Sequence, residues 1–167
     1  MKTSLVSIGL ENPKSPENVG MVLRAAGCYG ADKIFYTGER FDRARQFRTD
    51  TKDRNKTIPL QWLEDLSNLD LPNAKIIAVE LVEGATPLMD FIHPENAFYI
   101  FGPEDGSVSQ SVLNICDAVI YIPTNGCMNL AATVNVVLYD RMAKNPATAI
   151  AERSITDNKD TNNRVKL

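Results

Sequence analysis

Five apolar runs of four to six residues, Leu5–Leu10, Lys33–Tyr36, Ile76–Glu80, Ala97–Phe101 and Ala118–Ile122, punctuate the chain at intervals filled by polar loops and helical stretches. Short apolar runs bounded by Gly, Pro and Asn are what strands buried on both faces look like, and strands separated by helices require parallel pairing. The fold class expected is therefore α/β, a mainly parallel sheet flanked by helices. Helices are expected over Asn18–Tyr29, Leu60–Leu69, Ser109–Ile115 and Asn129–Met142, and Glu83–Pro87 reads as a turn. The last helix carries apolar residues on most faces, which predicts burial on more than one side.

The chain has 167 residues, 44% of them hydrophobic and 23% charged, and suits one domain with one core. Residues 1–148 read as that domain and 149–167 as a polar, mobile tail. No apolar run is long enough for a membrane span, and the N-terminus lacks the pattern of a signal peptide, so a cytoplasmic location is the default expectation. Three cysteines without CxxC spacing and a single histidine, His93, argue against a zinc site, a disulfide framework or a catalytic triad. No metal is expected.

Net charge is −3, but seven cations face three acids between Arg40 and Lys56, so that window is +4 and the rest of the chain −7. A basic patch on an acidic body suits local phosphate binding, and equally a solvated helix face. Arg40, Arg43, Arg45, Arg48 and Lys52 are the candidate RNA-binding residues.

Three segments carry chemistry. Arg24 lies in an apolar helical stretch with Gly20, Met21, Gly27 and Cys28 on its face, so a partner can approach the guanidinium closely. An arginine among small apolar residues needs an anionic or polar partner, either a ligand or a structural carboxylate such as Glu17 or Asp32. Phe101-Gly102-Pro103-Glu104-Asp105-Gly106 ends a buried strand in a turn where ligands of open α/β sheets bind, or is simply a tight turn. Ile122-Pro123 to Met128-Asn129-Leu130 leads a strand into a helix that Asn129 would cap. No GxGxxG follows the first strand and no GxxxxGK[ST] occurs, which removes the ordinary dinucleotide and P-loop readings.

Taken in this order, Asn18-x-Gly20-x-x-x-Arg24, Phe101-Gly-Pro-Glu-Asp-Gly106 and Ile122-Pro followed by Met128-Asn129-Leu130 resemble the three motifs of the SpoU branch of the SPOUT RNA methyltransferases, over Leu5 to about Lys144. The chain is most similar to the small single-domain members that act on tRNA. The resemblance implies an S-adenosylmethionine-dependent RNA 2′-O-ribose methyltransferase, a C-terminal trefoil knot and a homodimer with the RNA site built across its interface. It implies Arg24, Asn18, Glu104 and Asn129 as catalytic residues, with Glu104 and Asn129 orienting Arg24. It implies Val79, Glu80, Gly102, Ile122, Cys127 and Met128 as the cofactor pocket, and tRNA, at the wobble position, or rRNA as substrate. Many members carry Ser where this chain has Cys127, and the loop before it is a few residues short. A non-catalytic RNA-binding paralogue and an unrelated nucleotide-binding α/β protein are the competing readings.

Overall fold

Ser15, Pro16 and Gly30 set the limits of the first helix. The Ser15 hydroxyl accepts from the Asn18 amide at 3.3 Å, Pro16 occupies the first turn, where its missing N–H costs nothing, and Gly30 closes the helix in the left-handed conformation. In the computed structural model, which describes residues 4–46, 58–69 and 71–144, this helix α1 spans Pro16–Tyr29.

The strands are β1 (Val6–Leu10), β2 (Lys33–Tyr36), β3 (Leu60–Trp62), β4 (Lys75–Val79), β5 (Thr86–Pro87), β6 (Ala97–Phe101) and β7 (Ala118–Tyr121). They form one parallel sheet in the order β3-β2-β1-β6-β4-β7-β5. The remaining helices are α2 (Arg40–Gln46), α3 (Gln110–Ile115) and α4 (Leu130–Lys144).

Every residue of β1 and β6 is buried, because helices cover both faces of the sheet. Alternation divides the core in two. Ala97, Tyr99 and Phe101 join Ile8, Leu10 and the buried stripes of α1 and α4. Phe98 and Ile100 join Phe35, Leu66, Val108 and Val112 on the other face. Truncating a ring such as Phe98, wholly buried between sheet and α3, would cost about 3–5 kcal/mol.

Three expectations are corrected. Leu60–Leu69 is no helix: Leu60–Trp62 adds to the sheet edge in register with Ile34–Tyr36, and a 3-10 turn over Leu66–Asn68 follows, capped by the Asp65 side chain. The parallel edge of β2 supplies backbone partners that local helix propensity cannot anticipate. Thr86–Pro87 is not only turn but a two-residue strand beside β7, so β7, last in sequence, is interior in space. Finally, α4 buries one stripe, Leu130, Ala131, Val134, Val137, Leu138 and Arg141, while Ala132 and Tyr139 face outward. Its burial is one-sided in a single chain. Residues 145–167, which include the expected tail, lie outside the described residues.

Candidate functional site

Because all seven strands run parallel, the loops after β1, β4, β6 and β7 emerge on one rim. The order in which successive strands are added reverses between β1 and β6, and a crevice opens at such a switch point. Three acids hold the rim together through backbone amides. Glu80 Oε2 accepts from the Val108 amide at 2.7 Å, and Glu11 Oε2 accepts from the Ser109 amide at 2.8 Å. Gly102 is required by close approach, since a Cβ there would stand 2.8 Å from the Val108 nitrogen.

Glu104 is the third acid. Its Oε1 accepts from Asn18 Nδ2 at 2.8 Å and the Ser15 amide at 3.0 Å, and its Oε2 accepts from the Lys14 amide at 2.8 Å. Partial burial pushes its pKa up, but the bonds from Asn18 and the backbone amides outweigh that, and the carboxyl lies below its usual range. Asn18, buried in the first turn of α1, uses its other atom as well: Asn129 Nδ2 donates to Asn18 Oδ1 at 2.9 Å. Asn129 Oδ1 meanwhile caps α4, accepting from the amides of Ala131 at 2.9 Å and Ala132 at 3.3 Å. Asn18 is thus the hub where the three motif segments meet.

Beside the hub lies an open cavity of about 190 Å³. Val79, Glu80, Gly102, Ile122, Cys127 and Met128 line it, together with Phe101, Glu104, Leu130 and Thr133. All six residues expected to hold a cofactor therefore face one space. The Glu80 carboxylate is already engaged with the amides of Leu81 and Val108, so it shapes the loop as well as lining the cavity. Cys127 is exposed and contributes a small side chain at the rim.

Arg24 is placed apart. It does not line the cavity, is exposed on α1, and among the described residues has no hydrogen-bond or ion-pair partner. Glu104 and Asn129 bond Asn18 rather than Arg24. The reason is helical geometry: six residues carry Arg24 about 9 Å along the axis and roughly 120° around it from Asn18. Asp32, one structural partner considered for Arg24, instead accepts from the Val6 amide.

The basic window is partly self-neutralised. Arg40 donates twice to Asp105, at 2.9 and 2.8 Å, and Lys14 adds a contact at 3.4 Å. Those bonds hold the Asp105 carboxyl below its ordinary range. Arg43 pairs with Glu39 one turn away. The side chain of Arg45, and Arg48 and Lys52 entirely, lie outside what the structure describes. Among the described residues, no group of three or more His, Cys, Asp or Glu could hold a metal, and no helix is long and apolar enough to cross a membrane.

Residues 5–139 match the SpoU rRNA Methylase family. The chain belongs to that family. Comparison with curated protein sequences finds no match. Among solved structures, this SpoU chain resembles the SpoU methyltransferase AviRb from Streptomyces viridochromogenes in complex with AdoMet, at 17% identity and a TM-score of 0.70, covering 86% of this chain and 59% of that one. The A. aeolicus TrmH/SpoU tRNA modifying enzyme gives 16% identity and 0.69 over 86% of this chain and 76% of that one. A structure described as giving insights into 2-OH methylation of C/U34 on tRNA gives 22% identity and 0.67, covering 84% of this chain and 96% of that one. The SpoU chain thus spans well under two thirds of the Streptomyces enzyme but nearly all of the last.

Sequence reading missed the clamps from Glu11 and Glu80 to the loop after β6, and the pairing of Arg40 with Asp105. Each joins residues 28 or more positions apart, so no local pattern signals it. The helix start was also missed by two residues: the sequence reading begins it at Asn18, whereas Ser15 caps a helix that starts at Pro16, a serine and first-turn proline that could have signalled it.

Proposed function

We propose that the protein transfers a methyl group from S-adenosylmethionine to a ribose 2′-hydroxyl of RNA, with tRNA, at the wobble position, as substrate. The observation that carries the reading is the Asn18 hub, which ties three motif segments of an RNA methylase family around one cavity. The cavity suits the cofactor: Val79, Phe101, Ile122, Met128 and Leu130 give an apolar floor for an adenosyl group, and Glu80, Glu104 and Thr133 a polar rim. When bound, S-adenosylmethionine supplies an electrophilic methyl together with its own leaving group.

The chain's own task is to present the hydroxyl and to stabilise its oxygen as the proton leaves. Arg24, exposed and without a partner among the described residues, would stabilise the forming alkoxide, since an arginine is a poor literal base. Positioning of this kind is worth up to roughly 7–11 kcal/mol. Glu104 and Asn129 act through Asn18, fixing the cofactor loops relative to α1.

Arg24 is exposed and does not line its own chain's cavity, which supports a homodimer whose RNA site is completed by the second copy. The exposed Met21 and Tyr139 on neighbouring α1 and α4 offer an apolar face for that contact. Arg40, Arg43, Arg45, Arg48 and Lys52 would grip the RNA backbone. We also read residues 1–148 as the catalytic domain, the crossings around β7 as a trefoil knot, and the location as cytoplasmic.

tRNA is preferred to rRNA because a neighbour of matching size, spanned to 96%, concerns tRNA. The test is incubation with methyl-labelled S-adenosylmethionine and total RNA, followed by nucleoside analysis. Label in a 2′-O-methylnucleoside of the tRNA fraction is expected. RNA binding without transfer would establish a non-catalytic paralogue, and calorimetric binding of ATP without S-adenosylmethionine would overturn the reading altogether.

A further inference from the structure

We infer that Trp62 is a stacking platform for an unpaired base some way along the strand from the methylated nucleotide, an inference that rests on the RNA-methylating reading above. Trp62 is the chain's sole tryptophan and ends the edge strand β3, where half of its surface is exposed. An indole left in water on a sheet edge forfeits burial that a polar residue would not need, and it is held there deliberately. Its N–H donates to the Gly38 carbonyl at 3.1 Å, and the Leu63 amide donates to the Tyr36 carbonyl at 2.8 Å. Gly38 is itself constrained: its φ is +73°, and the Asn12 side chain fills the space a Cβ would take. The Asn12 backbone amide in turn donates to Thr37 Oγ1 at 3.1 Å. The ring is therefore fixed before any ligand arrives, which lowers the entropic cost of stacking on it.

Its position suits RNA. Trp62 pairs in register with Tyr36, whose hydroxyl bonds Asp42 in α2, so the indole stands beside the basic helix. It lies on the same rim as the cavity, three strand spacings from β6, or about 14 Å. That exceeds the ~3.4 Å rise between stacked neighbours, so Trp62 meets a base some way along the strand from the target. Gln61, next to Trp62, and Glu39, next to Gly38, are both exposed and polar, which suits a nucleic-acid face. Single-stranded bases stack on aromatic side chains regardless of sequence.

Being the sole tryptophan, the indole reports on itself. Titration of the full chain with a short single-stranded oligoadenylate should quench its emission, whereas heparin, a polyanion without bases, should not. By fluorescence anisotropy of labelled oligonucleotide, W62A should bind about 5- to 150-fold more weakly, while W62F keeps most of the affinity and both variants keep S-adenosylmethionine binding by calorimetry. Oligonucleotide binding without quenching, or unchanged affinity in W62A, would overturn the proposal and assign the indole to another partner while leaving methyl transfer intact. Absence of both RNA binding and methyl transfer in the wild type would sink the function and the platform together.

Discussion

Asn129 at the head of α4 donates to Asn18 at the head of α1 across 111 residues of sequence, at 2.9 Å, and Asn18 passes the connection on to Glu104. Two helix starts and one strand end are thereby locked to one another through a single amide. Removing Asn129 should cost more than its cap alone. Asn129→Ala is expected to lose about 1–3 kcal/mol by urea denaturation, of which about 1 kcal/mol is the lost cap and the rest the orphaned Asn18 oxygen. A double-mutant cycle with Asn18→Ala should give a coupling of at least 0.5 kcal/mol or so. Strict additivity would mean the contact carries no energy.

Arg24 is exposed and unpartnered, so its loss should leave the fold untouched. Arg24→Ala should keep the wild-type melting temperature and S-adenosylmethionine affinity while methyl transfer falls by roughly 10²–10³-fold, the scale for losing one charge-stabilising donor. Arg24→Lys should recover little, because an ammonium lacks the guanidinium fork. Full activity in the alanine variant would remove Arg24 from the mechanism.

Arg40 is occupied by Asp105 in the free protein, which bears on how the basic window meets RNA. Asp105→Asn should release Arg40 and steepen the salt dependence of RNA binding by about one unit of slope. Arg40→Ala should weaken RNA binding less than Arg43→Ala, whose pairing with Glu39 is a solvent-exposed i,i+4 contact. A larger loss at Arg40 would show that RNA strips Asp105 away on binding.

His93 sets a pH dependence of stability. Its Nε2 bonds Asp140 at 2.9 Å and its Nδ1 meets the Tyr99 hydroxyl at 2.6 Å, within a network closed by Arg141. Burial lowers the His93 pKa, the bonds and charge of Asp140 oppose this, and Arg141 and Lys144 reinforce it. Because the folded value lies below the unfolded one of about 6.5, the unfolded chain binds the proton first. Stability should hold above that value, fall as pH drops below it, and level off once pH passes the folded value. Glu104, also lowered, removes stability in the same direction at more acid pH. His93→Gln should be less stable at pH 7.5 but show a flatter urea midpoint between pH 7 and 5; an equally steep fall would place the titration elsewhere.

The strands were legible because each is a short apolar run ended by Gly, Pro or Asn, and β1, β4 and β6 fall within two residues of their expected limits. The six cavity residues were legible only through motif resemblance, since taken singly each segment reads as a turn or a cap. Leu60–Trp62 was not legible, because three residues with no alternation carry no strand signal until β2 offers them an edge.

Sequence by itself determined the alternation of strand and helix, the cap at Asn129, and which residue types stand where the chain turns. Tertiary structure alone decided that Asn18, Glu104 and Asn129 converge, and that Arg40 meets Asp105 from 65 residues off. The physical reason is that sequence periodicity fixes which face a residue occupies on its own element, whereas strand order and helix crossing fix which elements share a rim. A site built from loops at the carboxyl ends of four parallel strands exists only once that order is set.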